Sequence, residues 1–342
     1  MQHLLEQTPE QLQTWFTQQD LPGYRAAQVR RWLFARRADN FDQMTDLPQA
    51  MRNRLAEEFQ IWTTQVAAHR QSDDGSEKLL LELFDGERIE CVLLRNDRHH
   101  RTVCVSTQVG CAMGCVFCAT GLDGLARNLG SGEIIEQMLR ADRLLADEER
   151  LSHIVVMGMG EPLANLDRLL TALAAATSPD GLGIGARRIT ISTVGLPAAI
   201  HRLADENCQY HLAVSLHAAD DRLRNELVAA TRGVGVGAII AAADYYFDVT
   251  GRRVTYEYVL LAGVNDRADD ARRLVGLLSG RPALVNLIPY NPVSDLAFRT
   301  PTPAAVGRFV EILTQGGLNA QVRHRKGDRI DAACGQLRRR NG

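Results

Sequence analysis

Lysine is almost missing from this sequence: of 39 basic residues only Lys78 and Lys326 are lysines, so arginine carries nearly all the positive charge. Two readings of that bias stand side by side, genomic base composition and a use for planar, bidentate phosphate recognition. An excess of either charge is lacking too. The 39 basic residues face 41 acidic ones for a net charge of −2, which as an average argues against a nucleic-acid partner. No run approaches the roughly 18 to 20 uninterrupted apolar residues of a membrane-spanning helix. The opening stretch, residues 1–20, is polar and acidic, without the basic-then-apolar pattern of a secretion signal, so the expected setting is the cytoplasm with no membrane partner. Internal repeats and low-complexity segments are also absent. With 45% hydrophobic and 23% charged residues over 342 positions, disordered and fibrous classes are excluded, and the length suits about two to three domains.

Residues 1–60 read as short helices separated by turns: Thr8-Pro9 opens one, Leu21-Pro22-Gly23 ends it, and Gln28 to Arg37 carries apolar residues amid Arg30, Arg31, Arg36 and Arg37. Residues 61–98 hold two alternating apolar runs, Lys78 to Phe84 and Arg88 to Leu94, joined by the hairpin signal Asp85-Gly86. From residue 99 to 320 strand-like runs alternate with helical ones. The strand candidates are Val103–Thr107, His153–Met157, Arg188–Ser192, Leu212–Leu216, Val254–Leu260 and Leu284–Ile288. Six strands, each followed by a helical pattern, predict an α/β fold with a partial parallel (β/α)6 barrel, whose active residues stand just past the strands' C-terminal ends. A last strand-like run, Asn319 to His324, leads into a tail. Residues 321–342 hold seven basic residues (Arg323, Arg325, Lys326, Arg329, Arg338, Arg339, Arg340) against Asp328 and Asp331.

What the chain does have is cysteine, seven residues, an odd number. In a reducing compartment clustered thiols point to metal, redox or nucleophile chemistry before a disulfide framework. Cys111, Cys115 and Cys118 form Cys-x3-Cys-x2-Cys directly after the first barrel strand. A structural zinc site wants four ligands in paired spacing, and no fourth thiol lies nearby with that spacing. Three thiolates suit a four-iron cluster whose fourth iron stays open to an exogenous ligand.

That arrangement resembles the radical S-adenosylmethionine (SAM) superfamily, in which the open iron chelates SAM and an electron from the cluster cleaves it to a 5′-deoxyadenosyl radical. Phe117 matches the superfamily's aromatic residue between the second and third ligands. The turn Gly158-Met159-Gly160-Glu161 is similar to its glycine-rich turn, so the resemblance implies SAM binding by Gly160 and Glu161. Ser192 at the end of the third strand, Ser215, Leu216 and His217 at the end of the fourth and Asn291 after the sixth complete the implied SAM set. Taken singly, each is an ordinary turn polar group.

Longer motifs narrow the resemblance. Cys104-Val-Ser-Thr-Gln-Val-Gly-Cys111, Met157-Gly-Met-Gly-Glu-Pro-Leu163, Ser215-Leu-His-Ala218, Asn286-Leu-Ile-Pro-Tyr-Asn-Pro292 and the tail motif Asp331-Ala-Ala-Cys334-Gly-Gln-Leu337 look like the RlmN/Cfr family of radical SAM RNA methyltransferases, over nearly the whole chain. The resemblance implies that one SAM methylates the Cys334 sulfur and a second yields the radical that takes hydrogen from the S-methyl group. The methylene radical then adds to carbon 2 of adenine, Glu90 removes the ring proton, and Cys104 attacks the Cys334 sulfur, leaving a transient Cys104–Cys334 disulfide. Adenine's electrophilic ring carbons need this radical route because polar methyl transfer fails there. Glu90 aligns with the family's base, although this sequence carries one extra residue between it and Cys104; the plainer reading is a solvated strand carboxylate opposite Lys78 or Arg88. Cys91 and Cys208 match nothing in the family and read as ordinary core or surface thiols.

The same resemblance implies 23S rRNA as substrate, tRNA next to the anticodon as a second one, and a flavodoxin- or ferredoxin-type electron donor; a monomer is the simpler expectation for an enzyme that must approach a large folded RNA. Arg30, Arg31, Arg36, Arg37 and the basic tail are candidates for RNA backbone contacts, against the alternative of a solvated helix face. A carbon-8 methyltransferase of the Cfr type and a non-catalytic iron–sulfur RNA-binding protein are the competing functions.

Overall fold

The structure, a computed structural model, describes residues 1–96, 100–231, 233–294, 296–323 and 326–338, with residues 231 and 328 by backbone only. Arg325, Arg339 and Arg340 of the tail therefore lie outside the described residues.

The N-terminal module packs helices α1 (Pro9–Gln18), α2 (Arg25–Phe34) and α3 (Gln49–Glu58) between two short parallel strands, β1 (Gln2–His3) and β2 (Phe59–Gln60). Thr8 starts α1 through a reciprocal capping box with Gln11, with Pro9 in the first turn where its missing N–H costs nothing. Leu12, Phe16, Val29, Leu33 and Leu55 are buried in the same continuous apolar cluster as the barrel strands, so the module is part of the main core.

A single ten-stranded sheet follows. Its antiparallel end comprises β3 (Gln65–Gln71), β4 (Glu77–Glu82) and β5 (Arg88–Arg95); β5 pairs with β6 (Arg101–Cys104). From β6 onward every pairing is parallel: β9 (His153–Val156), β10 (Ile189–Thr193), β11 (His211–Ser215), β12 (Val254–Leu260), β13 (Ala283–Pro289) and β14 (Asn319–Val322). The fold is thus an α/β barrel left open between β14 and β3. Two features differ from the sequence expectation: the hairpin merges into the barrel sheet through β5, and Asn319–Val322 joins as a seventh parallel strand. The first barrel strand also ends at Cys104, because the chain leaves the sheet there to form a separate ribbon, β7 (Gln108–Gly110) with β8 (Leu125–Asn128).

Helices α4 (Ser131–Asp142), α5 (Leu166–Thr177), α6 (Pro197–Asp205), α7 (Asp221–Leu227), α8 (Val236–Thr250), α9 (Ala268–Leu278) and α10 (Pro303–Gln315) cover the outside. None of the described helices is long and apolar enough to cross a membrane. Polar contacts lock the module onto α4. Glu6 accepts hydrogen bonds from the Gly132 N–H (2.9 Å) and the Ser131 hydroxyl (2.7 Å) at the helix N-terminus, where a carboxylate also meets the positive end of the dipole. Buried Glu136 takes the N–H and hydroxyl groups of both Thr63 and Thr64.

The arginines expected on an RNA-facing surface divide differently. Arg37 pairs with buried Asp142 at 2.8 Å and donates to the Ala146 and Glu149 carbonyls, and Arg30 pairs with Asp180 at 2.7 Å while lying over the Phe34 ring. Both act as docking pins between module and barrel, and their guanidinium groups are spent on protein. Arg31 and Arg36 remain exposed, Arg36 over Trp32. An Arg37→Ala variant is expected to lose about 3 kcal/mol of stability in a denaturant titration, since it strands the Asp142 carboxylate in the interior.

Candidate active site

The site lies at the C-terminal ends of the parallel strands, where the sheet opens. The β7–β8 ribbon sets the first wall. Gly110 has φ +75°, and a side chain there would strike the Gly124 carbonyl; the same carbonyl accepts the Cys111 N–H at 2.9 Å. On its other side the loop is held by Val116 N–H donating to the Leu227 carbonyl at 3.1 Å. Cys111, Cys115 and Cys118 consequently line one cavity, whose walls enclose about 950 Å³ including open solvent. Burial pushes all three thiols up, Cys111 to about 12. Buried thiols gathered in one cavity, with Thr120 and Gly121 offering Cys118 hydrogen bonds that favour its thiolate, are a donor set that a cationic cluster would complete by displacing their protons. Among the described residues no three His, Cys, Asp or Glu side chains are close enough to share a single ion. Three thiols on one loop lining one cavity suit a four-iron cluster, in which each binds a different iron.

The second wall is the turn after β9. Gly160 has φ +105°, and a Cβ there would lie 2.6 Å from the Gln108 Cβ and 2.9 Å from its backbone nitrogen. The turn is tied down by Met159, whose carbonyl accepts Thr107 N–H at 2.8 Å, and by Glu161 N–H donating to the Gln108 side chain at 2.8 Å. Glu161 is buried and accepts the Leu163 and Val194 N–H groups at 3.0 and 2.8 Å; burial still pushes its carboxyl up. A Gly160→Ala variant combines positive-φ strain with a backbone clash, of order 1–3 kcal/mol. It is expected to weaken SAM binding about 10- to 100-fold by equilibrium dialysis, with the visible absorbance of the cluster unchanged.

Ser192 and Ser215, on adjacent strands with hydroxyls 3.5 Å apart, line the same cavity. His217 also lines it, at φ +61°, and its Nδ1 accepts the Val259 N–H at 3.1 Å. Burial and the nearby Arg224 guanidinium hold the imidazole down to about 3, so the ring is neutral and carries its proton on Nε2. Leu216 departs from the sequence expectation. Its side chain is fully buried in the core and its N–H and carbonyl are used by Glu257 and Ala218, so it shapes the turn without lining the cavity. Asn291 does line it, but its Nδ2 donates to the Cys334 carbonyl at 3.1 Å while its Oδ1 is buried without a partner. That orphaned acceptor, the His217 Nε2–H and the apolar Val156, Val194 and Ile288 fit a nucleoside-bearing cofactor with polar groups at few points.

Cys334 stands in the partition between this cavity and a second one that contains Cys104. The tail reaches this place by crossing the open edge of the sheet. Asp74 accepts the Gly327 N–H at 2.7 Å, Lys326 donates to the Arg95 carbonyl, Thr120 donates to the Leu337 carbonyl at 2.7 Å, and Gln336 to that of Pro292 at 2.9 Å. Cys104 ends β6, and burial pushes its thiol up to about 12, with the Cys334 sulfur adding to the rise and the Arg323 guanidinium opposing it. Glu90 projects from β5 into a third, polar cavity beside the tail. It is buried, with Lys78 Nζ at 2.8 Å from Oε1 and the Arg338 N–H donating to Oε2 at 2.8 Å, and burial outweighs both in raising its carboxyl. It is therefore no solvated strand carboxylate, and Arg88 pairs instead with Glu82 at 2.7 Å. Pairing of β5 with β6 is unbroken from Arg95 with Arg101 through Val92 with Cys104. Cys91 is core and Cys208 half-buried.

Two residues of the site escaped the sequence reading. Arg323, counted there as a tail cation, lines both the cofactor cavity and the Cys104 cavity and lies 3.6 Å from the Met157 sulfur. Glu257 lines the cofactor cavity from β12, buried, accepting from the Asn286 amide at 3.0 and 3.1 Å and facing the charge of Arg323. A lone charge inside Val254–Leu260, at a position whose strand neighbours are buried, was the available signal.

Comparison with known proteins agrees with this geometry. Residues 2–61 match the ribosomal RNA large subunit methyltransferase N-terminal domain and residues 105–275 match the radical SAM superfamily. The chain is 56% identical over 340 residues to a protein of Rhodopirellula baltica named probable dual-specificity RNA methyltransferase RlmN, covering 99% of this chain and 91% of that one. It is 44% identical to the Staphylococcus aureus protein of the same name, over 96% of this chain and 90% of the relative. A radical SAM methyltransferase from Sphaerobacter thermophilus superposes with a TM-score of 0.97 at 43% identity, covering 99% of this chain and all of that one. A four-iron cluster and SAM are the superfamily's cofactors. With both domain types in order and this identity over nearly its full length, the chain belongs to the RlmN family of radical SAM RNA methyltransferases.

Proposed function

We propose that the chain methylates carbon 2 of an adenosine in the peptidyl-transferase region of 23S rRNA and of the adenosine 3′ to the anticodon in tRNA, acting as a monomer with a flavodoxin- or ferredoxin-type electron donor. The observation that carries this reading is the position of Cys334 in the wall shared by the cofactor cavity and the Cys104 cavity. A carrier sulfur there can be loaded from one side and discharged on the other. When bound through Cys111, Cys115 and Cys118 on the iron side and around Gly160, Glu161, Ser192, Ser215, His217 and Asn291 on the SAM side, the cofactors supply the methyl group and a hydrogen-abstracting radical.

The chain's own residues do the rest. Cys334 accepts the methyl group as a thiolate and presents the one-carbon unit to the purine. Glu90 takes the proton from carbon 2. Cys104, as a thiolate, attacks the Cys334 sulfur, the sulfur–carbon bond breaks with its electron pair going to the former methylene carbon, that carbon takes up a proton to become the methyl group, and the methylated base leaves with a Cys104–Cys334 disulfide behind it. The target base must be unstacked to reach these groups. Digestion and mass spectrometry of 23S rRNA and tRNA incubated with reconstituted protein should yield 2-methyladenosine; 8-methyladenosine without it would overturn the choice of carbon.

A further inference from the structure

Lys78 is one of two lysines in a chain that otherwise uses arginine, and it is buried against Glu90. Register places it there: Leu80 of β4 is directly opposite Glu90 of β5, so Lys78, two residues away on the same strand, shares Glu90's face. Its ammonium lies 2.8 Å from Glu90 Oε1 and donates at 2.9 Å to the Asp331 carbonyl, three residues before Cys334. Each side chain of the pair is over nine-tenths buried. A compact ammonium aims two hydrogen bonds at a carboxylate on one strand and a carbonyl on the tail; a wider planar guanidinium fork would keep the charge but present its donors in a different geometry.

We propose that Lys78 is a positioning residue for the transfer reaction, holding Glu90 ionised and aimed only while the segment bearing Cys334 is docked. This rests on the reading of Glu90 as the base. In the step it serves, the carbon 2–hydrogen bond of the covalent adduct breaks, the proton passes to Glu90, and the bond's electron pair stays with the purine. Charged or polar groups face Glu90 from every side: Lys78 from β4, Arg70 from β3, the Arg338 N–H and Asp331 from the tail, and Ser294 from the loop after β13. Of these, Lys78 brings its ammonium within 2.8 Å of the carboxylate. Burial raises the Glu90 carboxyl and Lys78 opposes the rise, so removing Lys78 makes the base harder to ionise.

The test uses full-length, cluster-loaded Lys78→Met, Lys78→Arg and Glu90→Gln proteins with RNA substrate, after visible absorbance and circular dichroism have established that each is folded and loaded. For Lys78→Met, methylation of Cys334, read as one added methylene mass on the C-terminal peptide, should stay within about twofold of wild type. Turnover should fall about 10²-fold with the RNA–Cys334 adduct accumulating, and the acid limb of the pH–rate profile should move about one unit or more toward higher pH. Lys78→Arg should return that limb toward wild type while restoring the rate only in part. An unmoved acid limb, or parallel loss of Cys334 methylation and turnover, overturns the proposal by reducing Lys78 to a tail anchor or a packing residue. Normal turnover in Glu90→Gln would instead remove the base reading itself, whereas an inactive Glu90→Gln beside a fully active Lys78→Met rejects Lys78 alone.

Discussion

A Cys334→Ala variant is expected to load its cluster and bind SAM as the parent does, yet to methylate RNA at least about 10⁴-fold more slowly. Cys334 is outside the Cys111–Cys115–Cys118 set, and its side chain forms no hydrogen bond that shapes the cofactor cavity; the tail is held by backbone groups at Gly327, Cys334, Gly335 and Leu337. Its removal therefore takes away a reacting atom and leaves the scaffold. Neighbours lining both cavities, Met157, Ile288, Asn291 and Arg323, offer no ionisable nucleophile that could carry a methyl group. The check is a triple measurement on one preparation: visible absorbance, SAM binding, and label transfer to RNA. Retained label transfer would mean that the methyl group passes directly to RNA. Cys334→Ser should be equally inactive, because a serine hydroxyl is a far weaker nucleophile than a thiolate at neutral pH.

The parts of this site that the sequence displayed are those whose chemistry depends on local spacing. Three cysteines within eight residues and a glycine-rich turn ending in Glu161 are short-range patterns, and the fold leaves them intact in one cavity. The parallel strands were visible for the same reason, each being a short β-rich run between helical patterns. What could not be read depends on partners far away in the chain. Arg30 and Arg37 look like surface cations until Asp180 and Asp142, more than a hundred residues on, are packed against them. Arg323 reads as one charge among seven until β14 joins the sheet and turns it toward Cys104. Lys78 was visible as a neighbour of Glu90, but its burial was not, because the covering tail lies some 250 residues later. At Leu216 the side chain serves the core while Ser215 and His217 on either side line the cavity, a division that the motif does not display.

With Cys104→Ala, the reaction is expected to stop with RNA covalently joined to Cys334, in near-stoichiometric amount, and turnover to fall by about 10³-fold or more. The three cluster cysteines are occupied in loaded protein, and neither remaining thiol is placed to take over. Val92 is directly opposite Cys104, so the adjacent Cys91 projects from the other face of the sheet and is sealed in the core, while Cys208 lies outside the Cys104 cavity. Burial that pushes the Cys104 thiol up leaves little of it ionised near neutral pH. Release of the adduct in the parent protein should then quicken about tenfold per pH unit across the neutral range if ionisation of Cys104 limits it. Arg323 moderates that penalty from the side, so Arg323→Gln should slow adduct release more than Cys334 methylation fails, and gel mobility of labelled RNA with the protein separates the two. An adduct that never forms in Cys104→Ala, beside normal methylation of Cys334, would place Cys104 before the addition to RNA. Unchanged turnover would remove it from the reaction altogether.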